Sequence, residues 1–185
     1  DLQPTAEEPT MVGVFMRGLS GRVVAVGYPD RISIAYDMEN VRLGKAWRGD
    51  FINVKGTWVG RAGSLESPAG TDVIDFAPGL PVAIIHQRDA KWPDDPVRDQ
   101  GWRYRGHRRD AERRPVFRIS GPGGVEITES VVPLVAADGV HLRRIFRFEG
   151  KTMPRNLAMR FARSKQISPA GDDAWITREG MTLAV

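Results

Sequence analysis

The chain alternates apolar and polar residues with a period of two, in short runs separated by Gly, Pro, Asn and Asp. A period of two places every second side chain on one face of an extended strand, whereas a helix repeats about every 3.6 residues. The pattern therefore predicts many short strands and little helix. The predicted strands cover residues 11–17, 22–27, 31–37, 41–47, 51–58, 73–76, 82–86, 102–107, 115–120, 125–133, 140–149, 155–163, 173–177 and 181–185.

Two glycine-containing segments predict chain reversals between strands. Asp138-Gly139 separates two alternating runs, which is typical of a β-hairpin. The GPGG segment at residues 121–124 also separates two strand-like runs. We interpret it as a turn, because a phosphate-binding loop would open a helix. Residues 156–162 fit either a short helix or a strand, and we favour the strand.

Many short strands at a spacing of roughly 8–12 residues are typical of an antiparallel β-sandwich, jelly-roll or barrel-like, with little helix. We predict an extended N-terminal arm over residues 1–10 and a single β-sandwich domain over residues 11–185. Two irregular loops interrupt the strands, at residues 59–71 and 87–101. The second is polar and contains prolines, and loops of this length are usually functional or disordered. The strands use nearly all the apolar residues, so few remain to line a pocket.

Composition excludes several kinds of chemistry. The chain has no cysteine, which excludes disulfides, thiolate metal sites, cysteine nucleophiles and covalent haem attachment through Cys-x-x-Cys-His. No apolar run is long enough to span a membrane. The acidic, proline-containing start at Asp1 is unlike a signal peptide. We interpret it as a mature or trimmed N-terminus, before which a signal or a lipid anchor can have been removed.

Positive charge is concentrated in one part of the chain. The net charge is +4 at pH 7, with a sequence pI near 9.8. A basic patch can contact nucleic acid, anionic lipid or an acidic protein, and the alternative is a solvated hairpin rim. Beyond Trp102 and Tyr104 the arginines are not interleaved with aromatic residues, so we predict no nucleic-acid binding. The predicted partner-binding residues are Arg103, Arg105, Arg108, Arg109, Arg113 and Arg114.

Residues for metal binding or catalysis do not form a recognisable pattern. The three histidines are far apart in sequence and lack metal-ligand spacing, and no Gly-x-Ser-x-Gly motif is present. Nothing fixes a catalytic distance between carboxylates. The sequence therefore predicts no catalytic residue, no metal site and no cofactor. The residues considered are His86, His107, His141, Asp72, Asp75, Asp94 and Asp95.

The tryptophans give a second candidate binding site. An indole fills a core, but its face also stacks on sugar rings or bases. Trp92 is the only large apolar side chain in its polar loop, so we predict that it is the most exposed tryptophan. Arg61 lies between glycines, so it has space around it for cation–π stacking or for a carboxylate contact. Trp58, Arg61 and Trp92 are the predicted ligand platform.

Eight short blocks share their order with a known domain type. They are FMRG at 15–18, RVVAVG at 22–27, IAYD at 34–37, RL at 42–43, AWRGDF at 46–51, WVGRAG at 58–63, GWRYRGH at 101–107 and PVFR at 115–118. Over roughly residues 11–185, this order resembles an uncharacterised β-domain of secreted bacterial multi-domain proteins, often found beside c-type cytochrome modules. The resemblance implies an extracytoplasmic (periplasmic or secreted) location near electron-transfer proteins. It supplies no catalytic residues, and this chain carries no haem module of its own.

Three functions follow as expectations. The first is a non-catalytic structural or interaction subunit that docks on a c-type cytochrome or a membrane electron-transfer complex. In that case the chain associates with a membrane only through its partner or a removed anchor. The alternative is a carbohydrate-binding module. The third, less favoured, is an enzyme acting on sugars or lactones, with Asp72, Asp94 or Asp95 and a histidine as its catalytic groups.

Overall fold

The computed structural model describes residues 2–59, 63–87, 89–178 and 181–184. It confirms a mainly β protein, with 49% of the residues in strands and 4% in helix. The strands are β1 (Thr10–Val14), β2 (Val23–Gly27), β3 (Ile32–Asp37), β4 (Arg42–Arg48), β5 (Thr71–Asp75), β6 (Val82–Ile84), β7 (Arg103–Arg109), β8 (Pro115–Ser120), β9 (Glu126–Ala136), β10 (Gly139–Glu149), β11 (Leu157–Met159), β12 (Ile167–Gly171), β13 (Ala174–Thr177) and β14 (Thr182–Ala184).

Two large antiparallel sheets form the body of the protein. The first has the strand order β1-β2-β3-β4-β5 and the second the order β10-β9-β8-β7. Strands that follow one another along the chain are neighbours in both sheets, so each is a meander without the crossovers of a jelly roll. None of the described sheets closes into a barrel. The arrangement is sandwich-like. Two smaller sheets have the orders β11-β6 and β12-β13-β14.

The central strands of the first sheet are buried on both faces, whereas its edge strand β5 is exposed. Strands β2 and β3 are buried along their whole length, which matches the continuous apolar runs VVAVG and ISIAYD. One face packs against the second sheet through Phe117 and Val131. The other face is covered by the chain that follows β4, through Phe51 and Ile52. Burying strands on both sides removes the most apolar area from water, which is the main favourable term in folding.

The second sheet, in contrast, is buried mainly on one face. Phe117, Ile119 and Ile127 point inward, and the last two pack with Trp102 in a third apolar cluster. On β10 every second residue is exposed. An antiparallel sheet with one solvated face shows this alternation. Its outer face is therefore available to solvent.

The predicted N-terminal arm is attached to the first sheet's covering layer. The amide of Leu2 donates to the carbonyl of Ile52 at 2.9 Å, and the amide of Phe51 donates to Oε1 of Gln3 at 3.2 Å. At the far end of the arm, Glu8 forms an ion pair of 2.6 Å with Arg113. The arm thus joins the body at both of its ends.

Three strand predictions need correction. Residues 51–58 contain no strand; they end in a short helix, α1 (Lys55–Trp58). The side chain of Asn53 accepts a hydrogen bond from the Lys55 amide at 2.9 Å, and such a local bond favours a turn. Within the predicted strand at residues 155–163, only β11 forms. The sequence does not predict β12, because its residues ISPAG include proline and glycine.

The two predicted reversals are confirmed. Ala136 pairs with Gly139, so β9 and β10 form a hairpin around Asp138. The GPGG segment joins β8 to β9 and contains a 3-10 helix, Pro122–Gly124. Neither helix in the described part of the chain has the length and apolar character needed to cross a bilayer.

A buried aspartate organises the turn between β3 and β4. The carboxylate of Asp37 accepts hydrogen bonds from Oγ of Ser20 at 2.5 Å and from Nδ2 of Asn40 at 2.9 Å. Burial by itself raises the pKa of Asp37. The hydrogen bonds from Asn40 and Ser20 together outweigh that effect and leave the pKa lowered.

Acid is expected to weaken this turn. Since the pKa of Asp37 is lower in the folded than in the unfolded chain (about 3.9), its contribution is present above about pH 4 and is lost as the pH falls. Asp37→Asn should lower the free energy of unfolding at pH 7 by about 1–3 kcal/mol. The free energy of unfolding of this variant should also fall less than that of wild type between pH 5 and pH 3. Urea unfolding at several pH values measures both. The control is Asp30→Asn, at an exposed turn; an unchanged acid dependence in Asp37→Asn would contradict the assignment.

Candidate functional site

The outer face of the second sheet carries arginines from three of its four strands. Directly paired residues lie on the same face of a sheet, and Arg118 pairs with Thr128, which pairs with Arg147. Since Phe117 and Ile119 point inward, Arg118 points outward. The same register places four further exposed arginines on this face. We call the set the basic face: Arg103, Arg108, Arg118, Arg143 and Arg147.

Most of this charge is not neutralised within the protein. In the part of the chain that the structure describes, Arg108, Arg118, Arg143 and Arg147 have no carboxylate within ion-pair distance. Two carboxylates, those of Glu126 and Glu149, also lie on this face. They stand directly opposite each other at one end of the β9–β10 ladder. The basic face is therefore a solvated sheet surface with an excess of fixed positive charge.

A bulge in β7 sets which of its side chains join the basic face. The register shifts by one residue between Tyr104 and His107, where Gly106 has a φ of 103°. A positive φ suits glycine, which has no Cβ. Tyr104 and His107 both remain on the inner side, where the Tyr104 hydroxyl lies 2.7 Å from Nδ1 of His107. Burial raises the pKa of Tyr104 to about 12. Burial, and secondarily Arg109, lowers the pKa of His107.

The six predicted partner-binding arginines differ in their contacts. Arg113 pairs with Glu8, and Arg114 pairs with Asp110 at 2.9 Å and with Glu112 at 2.8 Å. Arg103 donates to the carbonyls of residues 98 and 102. In the described part of the chain, ion pairs are absent for Arg105, Arg108 and Arg109.

Sequence reasoning missed the arginines that β8 and β10 add to the basic face. Arg118, Arg143 and Arg147 come into line with Arg108 only through strand register, which one strand does not reveal. One signal was present: HLRRIFRFE places arginines at positions 143 and 147, on the same side of an extended strand.

The predicted tryptophan platform is not assembled in this structure. Trp58 on α1 is 71% exposed, whereas Trp92 is half-buried, so the predicted order of exposure is wrong. The guanidinium of Arg160 lies 4.8 Å from the centre of the Trp92 ring. No ring contact joins Trp58 to Trp92 among the described side chains. Arg61, the third predicted member, lies outside the described residues.

The structure contains an open cleft of about 1090 Å³ beside the edge strand β5. This overturns the expectation that few apolar residues remain to line a pocket, because Val73, Ile74 and Phe161 all line it. Charged side chains complete the walls. The cations are Arg42, Arg48, Arg144, Arg160, Arg163 and Lys165, and the carboxylates are Asp72 and Asp75.

A buried polar cluster connects the two sheets next to this cleft. Glu129 on β9 is fully buried and accepts hydrogen bonds from the Tyr36 hydroxyl at 3.1 Å and from Nη2 of Arg144 at 2.7 Å. Burial raises the pKa of Tyr36, and the neighbouring Glu129 raises it further. Tyr36 also stacks on Phe117 with ring centres 3.7 Å apart. The cluster fixes Arg144 at the cleft wall.

Residues considered for acid–base chemistry are dispersed. His86 contacts Asn156, His141 contacts Asp138, and Asp94 pairs with Lys91 at 3.2 Å. Within residues 2–59, 63–87, 89–178 and 181–184 no group of three His, Cys, Asp or Glu residues could hold a metal ion. The described geometry thus brings no histidine to hydrogen-bonding distance of the aspartates named for a sugar- or lactone-acting enzyme.

Comparison of the chain with protein-family models, with curated proteins and with solved structures found no match. The class of protein is therefore defined by the fold and the surface alone. It is an antiparallel, sandwich-like β protein that has an arginine-rich sheet face and a basic cleft.

Proposed function

We propose that this protein is a non-catalytic interaction subunit that docks on an acidic protein surface through the basic face. The single observation that carries the proposal is the set of exposed arginines without carboxylate partners, aligned by register across one solvated sheet. Guanidinium groups form paired hydrogen bonds with carboxylates, and a surface of one charge sign raises the rate of association with an oppositely charged partner.

The resemblance to β-domains found beside c-type cytochrome modules suggests the kind of partner. On that basis we propose an extracytoplasmic location and a cytochrome-bearing or membrane electron-transfer complex as the binding partner. We include the N-terminal arm in the proposed docking region, because Glu8 pairs with Arg113 at the end of the β7–β8 hairpin.

The carbohydrate-binding alternative has less support. A sugar platform needs an accessible aromatic face, and Trp58 offers one. However, one ring of the predicted pair, Trp92, lies against Arg160. The basic face, in contrast, aligns five exposed arginines on one sheet. We therefore favour protein docking over sugar binding.

A capture experiment with a matched pair of variants tests the docking proposal. Wild-type protein and the triple variant Arg108→Gln/Arg118→Gln/Arg147→Gln are immobilised and exposed to native membranes and soluble extract at 0.05 M and 1 M salt. The control triple variant, Arg17→Gln/Lys151→Gln/Arg155→Gln, removes the same charge from exposed positions elsewhere. Captured proteins are identified by mass spectrometry and by their absorption spectrum.

We expect wild type and control to retain one acidic partner at low salt and release it at high salt, since the Debye length falls from over 10 Å to about 3 Å. The basic-face variant should bind that partner about 3- to 100-fold more weakly, the sum of three exposed charge pairs. A c-type haem spectrum would support the cytochrome assignment, and a partner without haem would remove it. Capture of nothing at either salt concentration, or equal capture by both triple variants, would refute the docking proposal.

A further inference from the structure

We infer that the cleft beside β5 binds an amphipathic organic anion, which is a small molecule with a carboxylate, sulfonate or phosphate head and an apolar body. This inference is separate from the docking proposal, because none of the basic-face arginines lines the cleft.

Four of the six cleft cations keep their charge available. Asp75 is paired with Lys45, Glu129 with Arg144, and Arg42 lies 3.9 Å from Asp37. No carboxylate of the described chain lies within ion-pair distance of the other four. They are Arg48, Arg160, Arg163 and Lys165.

Two of these cations are held in place without being neutralised. Nη2 of Arg48 donates to the carbonyl of Val140 at 2.7 Å, and Nη2 of Arg160 donates to the carbonyl of Pro78 at 2.7 Å. A carbonyl fixes a guanidinium but removes none of its charge, and each group has further N–H donors. Burial, and secondarily Arg163, lowers the pKa of Arg160. A bound anion would therefore relieve repulsion between positioned cations.

The apolar wall determines which kind of anion fits. Val73 is 44% exposed, Ile74 39% and Phe161 51%, and all three line the cleft. Phe161 lies beyond the end of β11, whose Leu157 and Met159 pack against the core. A cluster of exposed apolar side chains commonly marks a binding site. An inorganic anion would leave this wall in water, whereas a ligand with an apolar body would cover it.

The size of the cleft agrees with an organic ligand. Sites for small organic ligands usually measure about 300–1,000 Å³ and combine apolar walls with a few polar groups that fix orientation. At about 1090 Å³ the cleft lies slightly above the upper end of that range. Its apolar strand edge and its cations lie in one continuous lining, so one molecule can contact both.

Fluorescence and calorimetric titrations test the inference with defined probes. Anilinonaphthalene sulfonate reports binding by fluorescence, and dodecanoate, dodecanol, inorganic phosphate and a deca-glutamate peptide compete with it. We expect one molecule of anilinonaphthalene sulfonate to bind per protein molecule. Dodecanoate should displace it, whereas dodecanol, phosphate and the peptide should not. Phe161→Ser should weaken dodecanoate binding, and urea unfolding of each variant verifies that it is folded.

A matched pair of double variants locates the site. Arg163→Gln/Lys165→Gln should weaken dodecanoate binding about 10-fold or more, as expected for one or two lost charge-assisted hydrogen bonds. Lys151→Gln/Arg155→Gln, an exposed arginine–lysine pair outside the cleft lining, should bind as wild type does. Absence of binding, equal binding of dodecanol, displacement by phosphate or by the peptide, or equal affinity of the two double variants would overturn the inference.

Discussion

Replacing Glu129 with alanine is expected to lower the free energy of unfolding by about 3–5 kcal/mol, the usual cost of removing one partner from a buried ion pair. Glu129 is fully buried and receives hydrogen bonds from both Tyr36 and Arg144. Its loss leaves the largely buried guanidinium of Arg144 and the Tyr36 hydroxyl without their acceptor. Since folded proteins are stable by only about 5–15 kcal/mol, the variant should be close to unfolding.

Urea unfolding at pH 7 measures this effect. Glu126→Ala serves as the control, because Glu126 lies on the same strand but is exposed, and it should change stability by less than about 0.5 kcal/mol. The double variant Glu129→Leu/Arg144→Leu should recover much of the loss, since it also removes the buried cation that the single variant leaves unpaired. A Glu129→Ala protein as stable as wild type would show that the cluster does not hold the sheets together.

Replacing Trp102 with alanine is expected to cost about 3–5 kcal/mol, the range found for removing a large aromatic side chain from a core. Trp102 is 1% exposed and packs with Leu80, Val97 and Ile119. Val97 belongs to the polar loop at residues 87–101, so its packing against the indole anchors the end of that loop. The variant should therefore also become sensitive to proteolysis in that loop.

Thermal unfolding and limited proteolysis measure the two consequences. Trp58→Ala is the matched control, because Trp58 is 71% exposed and should alter stability by no more than about 0.5 kcal/mol. Gly121 provides an independent check: a Cβ there would lie 2.1 Å from the Trp102 ring. Gly121→Ala should cost about 1–3 kcal/mol in wild type and much less in Trp102→Ala. Equal costs in both backgrounds would contradict the packing described.

Prediction from the sequence succeeded where one strand contains its own signal. The run VVAVG is continuously apolar and forms β2. The run HLRRIFRFE alternates with a period of two and forms most of β10. Prediction failed at residues 51–58, where Asn53 turns the chain, and at β12, whose proline and glycine disfavour a strand.

The candidate sites could be predicted only in part. The arginines of β7 were visible as a cluster, but their alignment with Arg118, Arg143 and Arg147 depends on pairing between strands. The cleft combines side chains of β4 and β5, Arg144 on β10 and residues 160–165. These segments are far apart in sequence, so no local pattern indicates that they meet.

The sequence by itself determined a mainly β protein with an excess of arginine and the positions of most strands, because alternation and turn residues act over a few neighbouring residues. The tertiary structure decided which strands are covered on both faces, which arginines share one solvated surface, and that a basic cleft opens beside β5. The reason is that burial and proximity depend on contacts between distant segments, and those exist only once the sheets have packed.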